Sequence, residues 1–225
     1  MPAHDQPHEA MEAPLRYRYD SPKFGRVVSL SDGVFAIALT LLVLTLDVPQ
    51  VPVERLAQAR IDEAQQVVVF ALSFALVANL WWFHHKIVAQ LAVFETGMIA
   101  INLALLGLVA LVPFPTNLVG STPTSRAAVL PLLAVFLVLS SAYLALVLRA
   151  QRVEAWRVPV PDGLYAWLVA GWVGQVAGVA AAMAVAVWLP VGGLVVAVAT
   201  GTVVGVTLSF VAPRRYREWR SRPGL

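Results

Sequence analysis

Residues 26–49 read RVVSLSDGVFAIALTLLVLTLDVP, an apolar run that follows a basic residue and ends at a proline. About 20 mostly apolar residues suffice for a helix to cross the hydrocarbon of a bilayer. The run therefore predicts a membrane-spanning helix over 27–48. Its polar side chains include Ser31, Asp32 and Thr40, and each needs a physical reason, since polar groups in hydrocarbon are costly.

Five further runs of similar length and character follow along the chain. They predict membrane helices over 64–86, 98–118, 127–148, 163–189 and 191–211, and Pro190 separates the last two. The fold class is therefore all-α, a polytopic membrane protein with six transmembrane helices. The alternative, a soluble helical bundle, would require charged helix faces that these runs lack.

The composition supports the membrane class. Hydrophobic residues make up 59% of the 225 residues and charged residues 13%, against roughly 25% charged in soluble domains. The mean hydropathy is +0.75. The absence of cysteine excludes disulfides, cysteine zinc sites and thiol catalysis. We expect no cofactor.

The basic residues predict the orientation in the membrane. With an internal N terminus, thirteen of the 16 lysines and arginines face the cytoplasm, which fits the positive-inside rule with both termini inside. We divide the chain into a disordered cytoplasmic tail (1–22), a six-helix transmembrane domain (23–212) and a basic cytoplasmic tail (213–225). The last follows a span directly, so we expect it at anionic lipid headgroups, and no nucleic acid as partner.

Polar residues of the first three helices share one depth near the cytoplasmic side. We expect them to form a cluster in which one imidazole bonds to Asp32: Arg26, Ser31, Asp32, His84 or His85, and Asn102. A purely structural role, in which these groups hold the bundle together, remains open even for a channel. His84 and His85 are adjacent and point about 100° apart, so they cannot chelate one metal together.

The two tryptophans before these histidines have a simple explanation. Trp81 and Trp82 lie near the predicted cytoplasmic end of the second span. Aromatic side chains of this kind form belts at the membrane surface. We assign one of the two to such a belt.

The first helix resembles the signature of the bacterial members of the transmembrane protein 175 family of potassium channels. The matching string is Arg26-x-x-x-Leu30-Ser31-Asp32-Gly33-Val34-Phe35-Ala36-Ile37-Ala38-Leu39-Thr40-Leu41-Leu42, with Leu30 where the family has phenylalanine. Later matches are Trp81-x-x-His84-His85, Asn102 and Pro113-Phe114-x-Thr116 with Gly120. The resemblance covers about the first half of the chain.

The resemblance implies a potassium-selective channel of the bacterial inner membrane, a homotetramer in which the first helix lines a central pore. It places the constriction at Ile37, with further apolar rings at Leu41 and Leu44. Spacings of four and three put these residues on one helix face. Spacing alone would favour ordinary helix packing, and only the resemblance favours a pore.

Two polar residues accompany this stripe. Thr40 borders it and offers a potassium ion a hydroxyl oxygen, so the ion pathway lies near Ile37 and Thr40. Asp47 lies near the outer mouth, where four copies would raise the local cation concentration. No other metal site is expected, and no carbonyl filter loop of the Thr-Val-Gly-Tyr-Gly type occurs.

Three other functions remain as alternatives. A secondary transporter would place ionisable residues at the centres of its helices, and helices two to six offer none there. An enzyme would have to use Ser31, Asp32 and His84 as a triad, without a nucleophile elbow, and we do not expect catalysis. A scaffold is compatible with Gly171, Gly174 and Gly178 and with Gly201-x-x-x-Gly205, which predict close packing of the last two helices.

Overall fold

The protein folds as a bundle of membrane-length helices with a small structured cap at one end. The computed structural model describes residues 15–46 and 56–220, and side chains for 15–46, 64 and 66–207. Its elements are β1 (Arg16–Arg18), α1 (Pro22–Leu41), a 3₁₀ turn (Leu42–Thr45), α2 (Leu56–Ala89), β2 (Val93–Glu95), α3 (Thr96–Leu111), α4 (Pro113–Ser121), α5 (Arg126–Arg152), α6 (Asp162–Ala186) and α7 (Pro190–Arg220).

Six segments are long and apolar enough to cross a membrane, which confirms the predicted spans. They are Pro22–Thr45, Gln66–Ala89, Thr96–Ser121, Arg126–Arg152, Asp162–Ala186 and Pro190–Thr207. The first begins five residues before the predicted boundary. Ser21 caps it, because its hydroxyl accepts a hydrogen bond from the Phe24 N–H at 3.3 Å, and Pro22 suits the first helical turn.

The third span differs from the prediction of a single helix, because it consists of α3 and α4. Pro113 has no N–H to donate into the preceding turn, so the helix breaks there. The hydroxyl of Thr116 lies 2.9 Å from the carbonyl oxygen of Val112 and 3.3 Å from the hydroxyl of Ser73 on α2. The Val109 carbonyl, to which Pro113 cannot donate, accepts the Val112 N–H at 3.2 Å instead, and α4 packs against the 3₁₀ turn that follows α1.

The prediction of a disordered tail over 1–22 is wrong for residues 15–22. Strand β1 pairs antiparallel with β2, with Tyr17 opposite Phe94. The Tyr19 N–H donates to the Ala92 carbonyl at 2.9 Å, so the chain remains bonded up to the start of α1. Residues 1–14 lie outside the described residues.

The loop between α5 and α6 joins the same cap. The Ala92 N–H donates to the Ala155 carbonyl at 2.7 Å, and the Arg157 N–H donates to the Gln90 carbonyl at 2.8 Å. The Arg157 guanidinium also lies over the Tyr19 ring, 4.5 Å from its centre. The segment before α1, the α2–α3 loop and the α5–α6 loop are therefore all on one side of the bundle.

Helices α6 and α7 make the most extensive contact in the structure, as their glycines predict. A Cβ at Gly178 would overlap the Thr200 side chain, so the two backbones approach too closely for any larger residue there. By contrast, a Cβ at Gly174 would meet nothing within 4 Å. The close approach is thus confined to particular turns.

Candidate ion-conducting site

Helix α1 has one face buried in its own subunit and one face left uncovered. Phe35, Ala38 and Leu42 on the buried face are at most 1% exposed. On the opposite face Ile37 is 60% exposed and Leu44 is 72% exposed. The stripe predicted as a pore constriction therefore points away from the interior of the subunit.

Leu41 and Thr40 continue the uncovered face. Leu41 is 40% exposed. The Thr40 hydroxyl donates to the Ile37 carbonyl at 2.8 Å, which leaves the lone pairs of its oxygen free to face outward. Asp47 lies outside the described residues.

The helix tightens where the stripe ends. Leu42–Thr45 form a 3₁₀ turn, in which side chains three residues apart lie directly above one another. Leu42 and Thr45 are therefore both buried, and Leu41 and Leu44 are both exposed. The Thr45 hydroxyl donates to the Leu42 carbonyl at 2.7 Å and closes this turn.

The partner of Asp32 is an indole and not an imidazole. Trp81 Nε1 donates to Asp32 Oδ1 at 2.9 Å. The predicted hydrogen bond from His84 or His85 to Asp32 is wrong, because the rotation of α2 points Trp81 at the carboxyl group. Of the two tryptophans, only Trp82 remains for an interfacial belt, and it is 45% exposed.

Asn102 and Ser31 meet as the sequence predicts. Asn102 Nδ2 donates to Ser31 Oγ at 3.0 Å, and Ser31 Oγ lies 3.0 Å from the Val27 carbonyl. Both residues are at most 1% exposed. These contacts attach α3 to the buried face of α1, one turn from Phe35.

The two histidines have different surroundings. His84 is 2% exposed, its ring packs between Phe35 and Tyr143, and neither ring nitrogen has a hydrogen-bond partner among the described residues. His85 is exposed and stacks on Trp82. The structure thus places His84 behind the buried face of α1 and His85 at the surface.

Arg26 does not join the polar cluster. Its side chain is exposed and forms no hydrogen bond or ion pair with any described residue. Arginine side chains are long enough to reach water from a helix end, so a position one turn and a half from Asp32 does not require contact. The cluster therefore consists of Ser31, Asp32, Trp81 and Asn102, with His84 packed nearby.

An ion pair in the cap was not predicted from the sequence. Arg149 on α5 binds Glu95 through two hydrogen bonds of 2.6 and 3.0 Å, and the hydrogen bond from Arg149 holds the pKa of Glu95 below its ordinary value. A Cβ at Gly97 would lie 3.2 Å from Arg149 Nε. Glu95 and Gly97, at the start of the third span, were the sequence features that could have indicated this ion pair.

Comparison with known proteins shows which family the sequence and the fold resemble. A sequence profile of the family described as endosomal/lysosomal potassium channel TMEM175 matches residues 26–113. The crystal structure of a lysosomal potassium-selective channel TMEM175 homolog from Chamaesiphon minutus matches with a TM-score of 0.73 and 26% identity. That match covers 83% of this chain and 98% of the other. The chain is therefore similar to the TMEM175 family in sequence over residues 26–113, and to a TMEM175 homolog in fold.

Two proteins named as potassium channels are similar to this chain in sequence. A potassium channel of Chamaesiphon minutus is 37% identical over 122 residues, which are 52% of this chain and 60% of the relative. A potassium channel of Streptomyces collinus is 35% identical over 97 residues, which are 43% of this chain and 47% of the relative. The resemblance seen in the first helix is therefore confirmed. The matched stretches span about half the length of these relatives.

Proposed function

We propose that this chain is a subunit of a potassium-selective channel, with α1 lining the ion pathway. The observation that carries the proposal is the uncovered apolar face of α1, on which Ile37, Leu41 and Leu44 are all at least 40% exposed. The relatives named potassium channels, and the match of residues 26–113 to the TMEM175 family, support the same function.

The assembly that suits this face is a homotetramer around a central axis. Four copies of α1 would bring their Ile37 side chains together. In a closed ring every subunit makes the same head-to-tail contact with its neighbours, so the four uncovered faces of α1 can meet at the central axis. The proposal places K⁺ ions and the lipid bilayer as the partners of this tetramer.

The constriction would work through the energetics of hydration. A narrow apolar ring can lose its water and stop ion passage, so rings at Ile37, Leu41 and Leu44 act first as a gate. Thr40 lies between them and offers one hydroxyl oxygen per subunit to a partly dehydrated ion. Potassium sheds water at lower cost than sodium, which gives this arrangement its direction of selectivity.

We further propose that the channel lies in a bacterial inner membrane with both termini in the cytoplasm. The cap gathers the segment before α1 and two loops on one side. Lys23, Lys86, Arg149, Arg152 and Arg157 belong to that side, and basic residues of this kind face the cytoplasm. The six spans are an even number, so the end of α7 lies on the same side of the membrane as the start of α1.

The experiment is potassium flux in proteoliposomes with sodium flux as the comparison. We expect the native protein to pass K⁺ faster than Na⁺ without a cosubstrate, and Thr40→Ala to reduce that preference. Ile37→Asn should hydrate the ring and raise flux of both ions. Val173→Asn is the matched control, because Val173 is an exposed apolar residue of α6.

A transporter would behave differently in the same assay. Potassium flux that requires a gradient of a second solute would indicate a transporter and not a channel. Ile37→Asn flux equal to that of Val173→Asn and of the native protein would remove α1 from the pathway. Both outcomes contradict the proposal.

A further inference from the structure

A second polar centre lies inside the membrane region, away from α1. A partly open cavity of about 30 Å³ is lined by residues of α2, α5, α6 and α7. Asn79 of α2 and Gln175 of α6 line it together with apolar side chains. Gln175 lies 13 residues after the start of α6, which at 1.5 Å per residue is about 20 Å into the span. The cavity is therefore near the middle of the bilayer.

The amide groups in this cavity lack partners among the described residues. Gln175 Oε1 is buried and accepts no hydrogen bond from a described residue. The Asn79 side chain likewise forms no hydrogen bond with any residue that the structure describes. The hydroxyl of Ser140, the third polar group of the lining, already donates to the Phe136 carbonyl at 2.8 Å. Burial of an amide in hydrocarbon without a hydrogen-bond partner is energetically costly.

Glycines of α7 make the room in front of these amides. Gly201 and Gly205 are one helical turn apart and both line the cavity. A Cβ at Gly205 would lie 3.0 Å from Asn79 Nδ2, and a Cβ at Gly201 would lie 3.8 Å from Gln175 Nε2. Larger residues would therefore occupy the space that faces the amides.

We propose that this cavity is a water-binding site that joins α2, α6 and α7. A volume of about 30 Å³ holds roughly two water molecules, each of which occupies about 10 to 15 Å³ by this measure. One water donates to Gln175 Oε1 and accepts from Asn79 Nδ2. The lining contains no charged side chain to hold an ion, and an apolar occupant would leave both amides unsatisfied.

The site supports α2 from the side opposite to α1. Asn79 lies two residues before Trp81, which bonds Asp32 on α1. Water between Asn79 and α7 therefore stabilises the position of α2, which is hydrogen-bonded to α1. The proposal stands independently of the channel function, because it concerns hydration inside one subunit.

A structure of the native protein at a resolution that shows ordered water provides the direct test. We expect one or two water peaks at 2.7 to 3.2 Å from the amide atoms of Asn79 and Gln175. Under xenon pressure no xenon peak should appear in the cavity, since xenon occupies dry apolar cavities. A xenon peak there, or a direct hydrogen bond between the two amides with no water, would overturn the proposal.

The melting temperature of Gln175→Leu in detergent gives a second test. If water bridges the amides, the change should lower the melting temperature, because the water loses a partner. If the site is dry, removal of an unsatisfied amide should raise it, and that result would overturn the proposal.

Gly205→Ala and Gly174→Ala form a matched pair for the same measurement. Both add one methyl group to a membrane helix, but only the first faces the water beside Asn79. We expect a lower melting temperature for Gly205→Ala alone. Equal melting temperatures would contradict the proposal. The ratio of K⁺ to Na⁺ flux should stay native in both variants, which separates this test from that of the pore.

Discussion

Replacement of Trp81 by phenylalanine should loosen α1 from α2. The change removes the indole N–H that donates to Asp32 Oδ1 at 2.9 Å and retains an aromatic ring in the same place. A hydrogen bond to a carboxyl group contributes about 1 to 3 kcal/mol in soluble proteins. Pairs inside membrane proteins contribute less, about 0.6 kcal/mol on average and 1.7 at most. We therefore expect a coupling of about 1 kcal/mol.

Trp82→Phe controls for the loss of ring size. Trp82 is the neighbouring residue, is 45% exposed, and donates no hydrogen bond to a described residue. The assay is reversible unfolding of the protein in mixed detergent micelles, followed for Trp81→Phe, Asp32→Leu and the double variant. A double-mutant cycle isolates the pair from the packing that each change also removes.

The result that refutes this prediction is additivity. If the double variant loses the sum of the two single losses, the two side chains do not interact in the folded protein. An equal loss in Trp81→Phe and Trp82→Phe would likewise assign the effect to ring size alone. Either result would mean that Trp81 does not bind Asp32 in the folded protein.

Three further predictions concern the cap and the buried face of α1. Glu95→Gln should lower the free energy of unfolding by about 1 to 3 kcal/mol at neutral pH. Because Arg149 depresses the pKa of Glu95, this difference is full above the ordinary value of 4.5 and vanishes as pH falls through the lower folded pKa, which unfolding at several pH values measures. Gly97→Val should lower the melting temperature, since a Cβ there meets Arg149 at 3.2 Å, whereas Gly107→Val, with nothing within 4 Å, should not. Phe35→Ala should cost about 3 to 5 kcal/mol in the same unfolding assay, because a fully buried ring leaves a cavity, and a loss below 1 kcal/mol would contradict its burial.

The membrane spans could be predicted from sequence because hydropathy acts on every residue of a span. A backbone in hydrocarbon must bond internally, so an apolar run of about 20 residues has few alternatives to a helix. The break at Pro113 was visible as a proline but not as a division of the span. Whether a proline kinks, ends or splits a helix depends on which group satisfies the freed carbonyl, here the Val112 N–H that donates to the Val109 carbonyl.

The partner of Asp32 could not be predicted because it depends on helix rotation. Trp81, His84 and His85 all lie at a suitable depth, and they differ in direction by multiples of 100° around α2. Charge and titration drew attention to the imidazoles. The packing of His84 between Phe35 and Tyr143 sets the rotation that turns Trp81 toward Asp32.

The cap was missed because its strands are short and far apart in the chain. Three residues of β1 pair with three residues of β2, which lie more than 70 positions later. A run of three residues has no hydrophobic period that identifies a strand. The basic residues of β1, Arg16 and Arg18, favoured the interpretation of a solvated tail.

The chain offers a direct measurement of which face of α1 meets the ions. It contains no cysteine, so an introduced thiol is the only one that a charged, membrane-impermeant thiol reagent can modify. We predict that the reagent blocks K⁺ flux through Ile37→Cys and Thr40→Cys proteoliposomes and leaves flux through Val173→Cys unchanged. Full modification at Ile37 and Thr40 with undiminished K⁺ flux would contradict an ion pathway along α1.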